Sequence, residues 1–148
     1  MHVNLEGPRL PPKTISFYGT RLKGFAFDEK GIARFIKLAL EKGQNLKLNE
    51  NLDVYPGIIV AKKSFEAIIK EKSDNMQLIY LHKKGQDIRN FSFKENVLFV
   101  FGDYIGMPRK TEFLLNRLNA ERISLGKIDY HASQCITIVQ NELDRRMQ

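Results

Sequence analysis

From residue 58 onward, short apolar segments alternate with segments of helical periodicity, and this alternation most constrains the fold. The apolar segments are Ile58–Ala61, Leu78–Leu81, Val97–Phe101 and Arg122–Leu125, and the helical patterns lie over residues 65–72, 111–118 and 131–146. Val97–Phe101 is apolar throughout, which is typical of strands buried on both faces. The alternation predicts an α/β fold, with a mostly parallel sheet and helices on both of its faces.

The first part of the chain has a less regular pattern. Met1–Pro12 contains Gly7-Pro8 and Pro11-Pro12, which are turn or extended signals, and it does not look like the start of a domain. The elements expected next are strands over Thr14–Tyr18 and Arg21–Phe27, a helix over residues 29–42 capped by Asp28 and ended by Gly43, and a polar loop over residues 44–56.

Length and composition narrow the class of protein. The 148 residues suit one domain. With 43% hydrophobic and 28% charged residues, the composition is that of a folded protein and not of a disordered one. No apolar run approaches the roughly 20 residues that cross a bilayer, and no leader pattern opens the chain. Cys135 is the single cysteine, and with three scattered histidines it does not indicate a metal site. We expect one soluble, cytoplasmic domain over residues 1–148, with no membrane or metal partner.

The positive charge is unevenly distributed. The formal net charge is +7, of which residues 1–47 contribute +5. A basic segment favours a polyanionic partner such as nucleic acid, although a solubilising excess of charge gives the same composition. The basic clusters that could contact phosphates are Arg9/Lys13, Arg21/Lys23, Lys62/Lys63, Lys83/Lys84 and Arg109/Lys110.

Three segments that follow apolar strands are candidates for a ligand site, because such sites lie beyond the carboxyl ends of parallel strands. They are Gly102–Gly106, Ser124–Gly126 and His131–Cys135. The glycines at positions 102 and 106 allow a close approach of the backbone to a ligand, but the same spacing also suits a plain turn between strand and helix.

His131 and Cys135 are four residues apart and would share a helix face. They could form a nucleophilic pair, although a cysteine that packs as a small apolar group fits the pattern better, because no third orienting group accompanies them. His82 follows a strand and is either a site residue or a polar strand end.

Together these segments resemble one family in order and spacing. They are Phe101–Gly106, Glu121–Gly126 and His131–Asp144, with Tyr80-Leu81-His82, Gly85-Gln86-Asp87 and Pro56-Gly57-Ile58. The chain resembles the tRNA pseudouridine N1-methyltransferase family, within the SPOUT superfamily of knotted RNA methyltransferases. The resemblance covers residues 13–146.

The resemblance implies a parallel α/β fold with a C-terminal trefoil knot, a knot and cofactor region over residues 97–146, and a homodimer. It also implies that S-adenosyl-L-methionine (SAM) is the cofactor and that RNA, most simply tRNA, is the substrate. The implied cofactor contacts are Leu81, Gly102, Gly106, Ser124, Leu125, Gly126, Ile128 and Cys135, with Ile105 as a further apolar wall.

The resemblance does not identify a catalytic base. Asp103 is a geometric candidate for removing the proton from the ring nitrogen, although a solvated loop carboxylate is the simpler interpretation. Family members carry a further N-terminal segment before the point where this chain begins. The alternatives are therefore a shortened, non-catalytic SPOUT domain that binds RNA or only dimerises, and a methyltransferase that acts on ribosomal RNA.

Overall fold

The computed structural model describes residues 1–7, 11–24, 28–103 and 106–146. Two units make up the chain, Met1–Ile69 and Lys70–Gln148. The elements, in chain order, are β1 (His2–Leu5), β2 (Lys13–Phe17), α1 (Glu29–Lys42), β3 (Asn51–Tyr55), β4 (Ile58–Ala61), α2 (Phe65–Ser73), β5 (Gln77–Asp87), β6 (Val97–Val100), α3 (Arg109–Arg117), β7 (Glu121–Ser124) and α4 (Ala132–Arg146). Among the described residues, no helix is both long and apolar enough to cross a membrane.

The four strands of the first unit form an antiparallel sheet in the order β1-β2-β4-β3. The prediction of a mostly parallel sheet is therefore wrong for this half of the chain. The physical reason is that β3 and β4 are joined by only Pro56 and Gly57, and two residues can connect only antiparallel neighbours. Gly57 has a φ of +84°, which suits the third position of a Pro-Gly turn.

Two of the four strands in this sheet were not predicted, and one predicted strand is not formed as expected. β1 lies in the segment that was expected to form turns. β3 lies in the expected polar loop, and its sequence lacks the apolar pattern of a strand because Val54 is its one buried residue. Arg21, the first residue of the expected strand Arg21–Phe27, is instead the last residue of a 3-10 helix at Gly19–Arg21. Residues 22–24 are not in a strand, and Phe25–Phe27 lie outside the described residues.

Helix α1 forms as predicted and covers this antiparallel sheet. The Asp28 carboxylate accepts a hydrogen bond from the Gly31 N–H at 2.6 Å, and Gly43 follows the last helical residue. On the inner face Ala39 is fully buried against a core that includes Ile15 and Val60. The helix thus gives the first unit its own hydrophobic core.

The second unit contains the predicted parallel sheet, in the order β6-β5-β7. Successive side chains of β5 point to opposite faces. Ile79 packs with Ile123 and with Val139 of α4, whereas the hydroxyl of Tyr80 donates to Asn116 of α3 at 3.0 Å. Helices therefore cover both faces of this sheet, as predicted.

The β5 ladder is interrupted where the sequence predicts a Lys83-Lys84-Gly85 turn. Leu81 and Gln86 both pair with Ile123, so residues 82–85 leave the ladder between them. We call residues 82–85 the β5 bulge. A Cβ at Gly85 would lie 2.5 Å from the backbone carbon of Ile123, which requires a glycine at this position.

Arg146 attaches the end of α4 to the turn after β5. Its guanidinium donates to the carbonyl oxygens of Ile88, at 2.7 Å, of Arg89, at 3.0 Å, and of Phe91. The same group pairs with Glu142 at 2.7 Å and lies 4.8 Å from the centre of the Phe93 ring. One cation therefore joins the end of α4 to three carbonyl groups of the segment that follows β5.

We expect Arg146→Ala to lower the free energy of unfolding by about 2 kcal/mol, because these carbonyl groups lose a charged donor. Arg145→Ala is the matched control, since this exposed neighbour should change stability by less than about 0.5 kcal/mol. Urea denaturation measures both. Equal effects of the two substitutions would contradict the assigned role of Arg146.

Candidate functional site

A cavity of about 530 Å³ lies in the second unit, at the carboxyl ends of β6 and β7 and beside the β5 bulge. Parallel strands present their carboxyl ends at one edge of the sheet, where the loops that follow them converge. The walls come from the end of β5 and its bulge, the loop after β6, the start of α3, the loop after β7 and the first turns of α4.

All eight residues predicted to contact a cofactor line this cavity, as does the candidate base Asp103. They are Leu81, Gly102, Gly106, Ser124, Leu125, Gly126, Ile128 and Cys135. Ile105, the further apolar wall, lies outside the described residues. Positions up to 54 residues apart in sequence are thus brought together by the parallel pairing of three strands.

The loop after β6 is held by a close backbone contact. A Cβ on Gly102 would lie 2.6 Å from the backbone carbon of Gly106, so no larger residue fits at position 102. The Gly106 N–H donates to the carbonyl oxygen of Asp103 at 3.0 Å, which holds these two residues of the loop together. The backbone itself therefore forms this part of the cavity wall.

The loop after β7 is shaped by Ser124. Its hydroxyl accepts a hydrogen bond from the Gly126 N–H at 3.2 Å, and Gly126 has a φ of +114°, which disfavours any residue with a Cβ. Beyond it, Asp129 pairs with Lys83 of the β5 bulge at 2.8 Å. Both of these side chains are more than 70% exposed, so the pair closes one side of the cavity but adds little stability.

Cys135 and His131 do not form a nucleophilic pair. The Cys135 thiol lies 3.7 Å from the carbonyl oxygen of Tyr130, and burial raises the pKa of this thiol, which disfavours the reactive thiolate. The cavity-lining residues include Cys135 but not His131, whose N–H donates to the side chain of Gln134 at the start of α4. Cys135 thus contributes a small, neutral surface to the cavity.

Sequence reasoning missed Glu112, which lies on α3 and lines the cavity. Its Oε1 lies 3.3 Å from the Tyr80 hydroxyl, whose one proton it shares with the Asn116 side chain at 3.0 Å, and 3.6 Å from Nε2 of His82. Burial raises the pKa of Tyr80, so this phenol stays a proton donor. The available signal was positional, because the first turn of a helix that follows a parallel strand borders the ligand edge of the sheet.

No group of three or more histidine, cysteine, aspartate or glutamate side chains within the described residues could hold a metal ion. The chemistry of the cavity lining is otherwise mixed. Leu81, Leu125 and Ile128 supply apolar surface, and Asp103, Glu112 and Asp129 supply carboxylates.

Comparison with known proteins agrees with this geometry. A family model of SAM-dependent RNA methyltransferases matches residues 1–148. The chain belongs to this methyltransferase family. It is 42% identical over 142 residues to a tRNA (pseudouridine(54)-N(1))-methyltransferase of Methanococcus aeolicus, covering 91% of this chain and 68% of that protein.

Proteins of the same name from two other archaea are also similar. The Methanocaldococcus jannaschii protein is 39% identical over 146 residues, and the match covers 96% of this chain and 71% of that protein. The Thermococcus gammatolerans protein is 38% identical over 142 residues, and the match covers 95% of this chain and 70% of that protein. The resemblance stated from the motifs is therefore confirmed at the level of the family and of its SAM-dependent methyl transfer to RNA.

The cavity of the methyltransferase fits SAM in size and chemistry. Its volume lies within the range of about 300–1,000 Å³ that is usual for small-molecule sites. A side chain at Gly102 would collide with the backbone of Gly106, so the cavity wall at this point is formed by backbone. Leu81 and Leu125 offer apolar walls, and carboxylates suit a ligand that carries a sulfonium cation.

We expect Gly102→Val to weaken SAM binding by about tenfold or more, because the new side chain would displace the backbone of Gly106. Gly7→Val is the matched control, since a Cβ at this exposed glycine meets nothing within 4 Å. Isothermal titration calorimetry measures both, and circular dichroism checks that both fold. A folded Gly102→Val protein with unchanged affinity would place SAM elsewhere.

Proposed function

We propose that this methyltransferase transfers a methyl group from SAM to the N1 atom of pseudouridine in tRNA. The observation that carries the proposal is the convergence of the eight motif residues on one cavity that fits SAM. The names of the similar proteins support the same substrate, since three of them are tRNA (pseudouridine(54)-N(1))-methyltransferases.

The residues of the cavity would divide the work of holding the donor. Leu81, Leu125 and Ile128 would cover its apolar parts, and Cys135 would add a small packing contact. The backbone groups of the Gly102–Gly106 and Ser124–Gly126 loops would provide hydrogen bonds. When bound, SAM supplies an electrophilic methyl group, so the main task of the protein is to position the acceptor nitrogen in line with it.

The trefoil knot, the homodimer and the cytoplasmic location belong to the same proposal. They rest on the resemblance to the SPOUT superfamily. For the dimer, α4 offers a supporting feature, since Ile136 is a large apolar side chain that is 43% exposed on this helix.

Incubation with SAM should produce N1-methylpseudouridine in a tRNA transcript that carries pseudouridine at position 54, as mass spectrometry of the nucleosides would show. A transcript with uridine at this position is the control, because the N1 atom of uridine is bonded to the sugar and cannot accept a methyl group. Binding of SAM and RNA without methylation would favour the non-catalytic alternative. Methylation of pseudouridine in a ribosomal RNA fragment, with none in the tRNA transcript, would favour the alternative of a methyltransferase that acts on ribosomal RNA.

The outer surface of α3 is the best candidate for contact with RNA. Phe113 is four positions after Arg109 and three after Lys110, so its ring is a neighbour of both cations on the helix surface. Phe113 is 67% exposed, which is unusual for a large apolar side chain beside two cations. Within the part of the chain that the structure describes, neither cation has an ion-pair partner. Cations for phosphates beside an aromatic ring for a base suit single-stranded RNA.

In three of the other basic clusters, one cation is already engaged within the protein. Lys13 is buried and donates to the carbonyl oxygen of Gly43, while burial lowers the pKa of its ammonium group. Arg21 lies 3.9 Å from Asp53, and Lys83 is paired with Asp129. Arg9 lies outside the described residues. The surface on α3 is therefore the favoured site of RNA contact, because Arg109 and Lys110 are exposed and have no ion-pair partner among the described residues.

We expect the double substitution Arg109→Ala/Lys110→Ala to weaken tRNA binding and to flatten its salt dependence. Each lost phosphate contact should reduce the slope of log K against log salt by about 0.7–0.9. The matched control is Arg34→Ala/Lys37→Ala on the exposed face of α1. Fluorescence anisotropy at several salt concentrations measures the slope. The same loss in both proteins would argue against a specific role for α3.

A further inference from the structure

We infer that Glu112 is the general base that accepts the N1 proton during methyl transfer, an inference that rests on the proposed function. Removal of this proton needs a basic group that lines the cavity and has a fixed orientation. The carboxylates that line the cavity, within the part of the chain that the structure describes, are Asp103, Glu112 and Asp129. They differ in their surroundings, and the differences favour Glu112.

Asp129 and Asp103 are the weaker candidates. The Asp129 side chain is 76% exposed and already paired with Lys83 at 2.8 Å. Asp103 is an exposed residue of the loop after β6. Water around an exposed carboxylate competes for the hydrogen bond to the substrate, and a loop holds a side chain less firmly than a helix does.

Glu112 has the position that a base requires. Its side chain is 29% exposed, so the carboxylate is partly shielded from water yet faces the cavity. It lies in the first turn of α3, where the positive end of the helix dipole favours a negative charge. Because Leu115 of α3 is fully buried and Asn116 accepts a hydrogen bond from Tyr80 of β5, the carboxylate is carried by a rigid element.

Two groups of β5 orient this carboxylate. The Nδ1 atom of His82 accepts a hydrogen bond from the Lys84 N–H at 3.0 Å, which leaves the proton of the neutral ring on Nε2. That nitrogen lies 3.6 Å from Oε1 of Glu112, and the Tyr80 hydroxyl lies 3.3 Å from the same oxygen. Both groups approach one carboxylate oxygen, so Oε2 is the atom assigned to the substrate proton.

The charged and titratable groups around Glu112 come from two strands. β5 supplies Tyr80 and His82, and β7 supplies Arg122, whose guanidinium lies 5.7 Å from the centre of the Tyr80 ring. Arg122 also donates to Asn116 at 2.9 Å, and Asn116 accepts from Tyr80 as well. Tyr80 and His82 are thus the groups that approach the carboxylate directly, and Arg122 is connected to it through Tyr80 and Asn116.

The proposed step balances as a proton-coupled displacement. The bond between N1 and the methyl carbon forms while the bond between that carbon and sulfur breaks, and the donor leaves as a neutral thioether. The N1 proton passes to Oε2 of Glu112. The carboxyl group later releases this proton to water, which can reach the partly exposed side chain.

We expect Glu112→Gln to lower the single-turnover rate of methyl transfer by about 100-fold or more, which is the usual effect of losing a general base. The dissociation constants for SAM and for tRNA, measured by calorimetry and anisotropy, should change less than twofold. Glu95→Gln, at an exposed residue that does not line the cavity, is the matched control and should keep most of the rate. Raising the pH should restore much of the rate of Glu112→Gln, because the ring nitrogen then loses its proton to hydroxide.

Three results would overturn the inference. A Glu112→Gln rate within threefold of wild type would remove Glu112 as the base and leave the proposed function intact. A loss confined to KM, or one that high pH does not reverse, would make Glu112 a structural residue. A wild-type protein that binds SAM and methylates no pseudouridine would overturn the proposed function, and with it the proton that Glu112 is assigned.

Discussion

The parallel pairing of β5 with both β6 and β7 is the constraint on which the site depends. Since the three strands run in the same direction, their carboxyl ends lie at one edge, and the loops that leave them are adjacent. The strand β5 continues past this edge after the bulge at residues 82–85, where Gly85 permits close contact with the backbone of Ile123. The bulge therefore places His82 and Lys83 on the cavity without ending the strand.

Much of the second unit could be predicted because its signals are local. The strands and helices over residues 77–146 follow from apolar runs, helical periodicity and turn residues. The structure has them close to the predicted bounds except for β5, which continues through the predicted turn at residues 83–85 to Asp87. The first unit was harder, because β1 and β3 form only through their partners. β1 takes its hydrogen bonds from β2, and β3 is an edge strand whose side chains are mostly exposed. Periodicity within either segment gives no sign of such pairing.

The candidate site divides in the same way. Composition and spacing indicated three loops, and the resemblance to a family selected the eight residues that the structure brings to one cavity. Glu112 was not found, because the sequence indicates only that the first turn of α3 borders the ligand edge and not that it lies beside His82 of β5. Their proximity arises from the packing of α3 on the face of the sheet that carries Tyr80, which is a property of the tertiary structure.

The cavity combines a rigid part and an adaptable part, and this division suits a reaction with two substrates. Around Gly102 and Gly106 the wall is backbone in close contact, which leaves no room for rearrangement. By contrast, Lys83, Asp129 and Ile128 are long or exposed side chains, and Ile128 is 68% exposed. A small donor needs a fixed geometry, because its methyl group has to be aligned with the acceptor atom. A nucleotide that is part of a large RNA has to enter and leave, and exposed side chains that reorient at low cost permit this movement. In the proposed reaction, the backbone loops therefore set the position of the donor, and the exposed side chains admit the RNA.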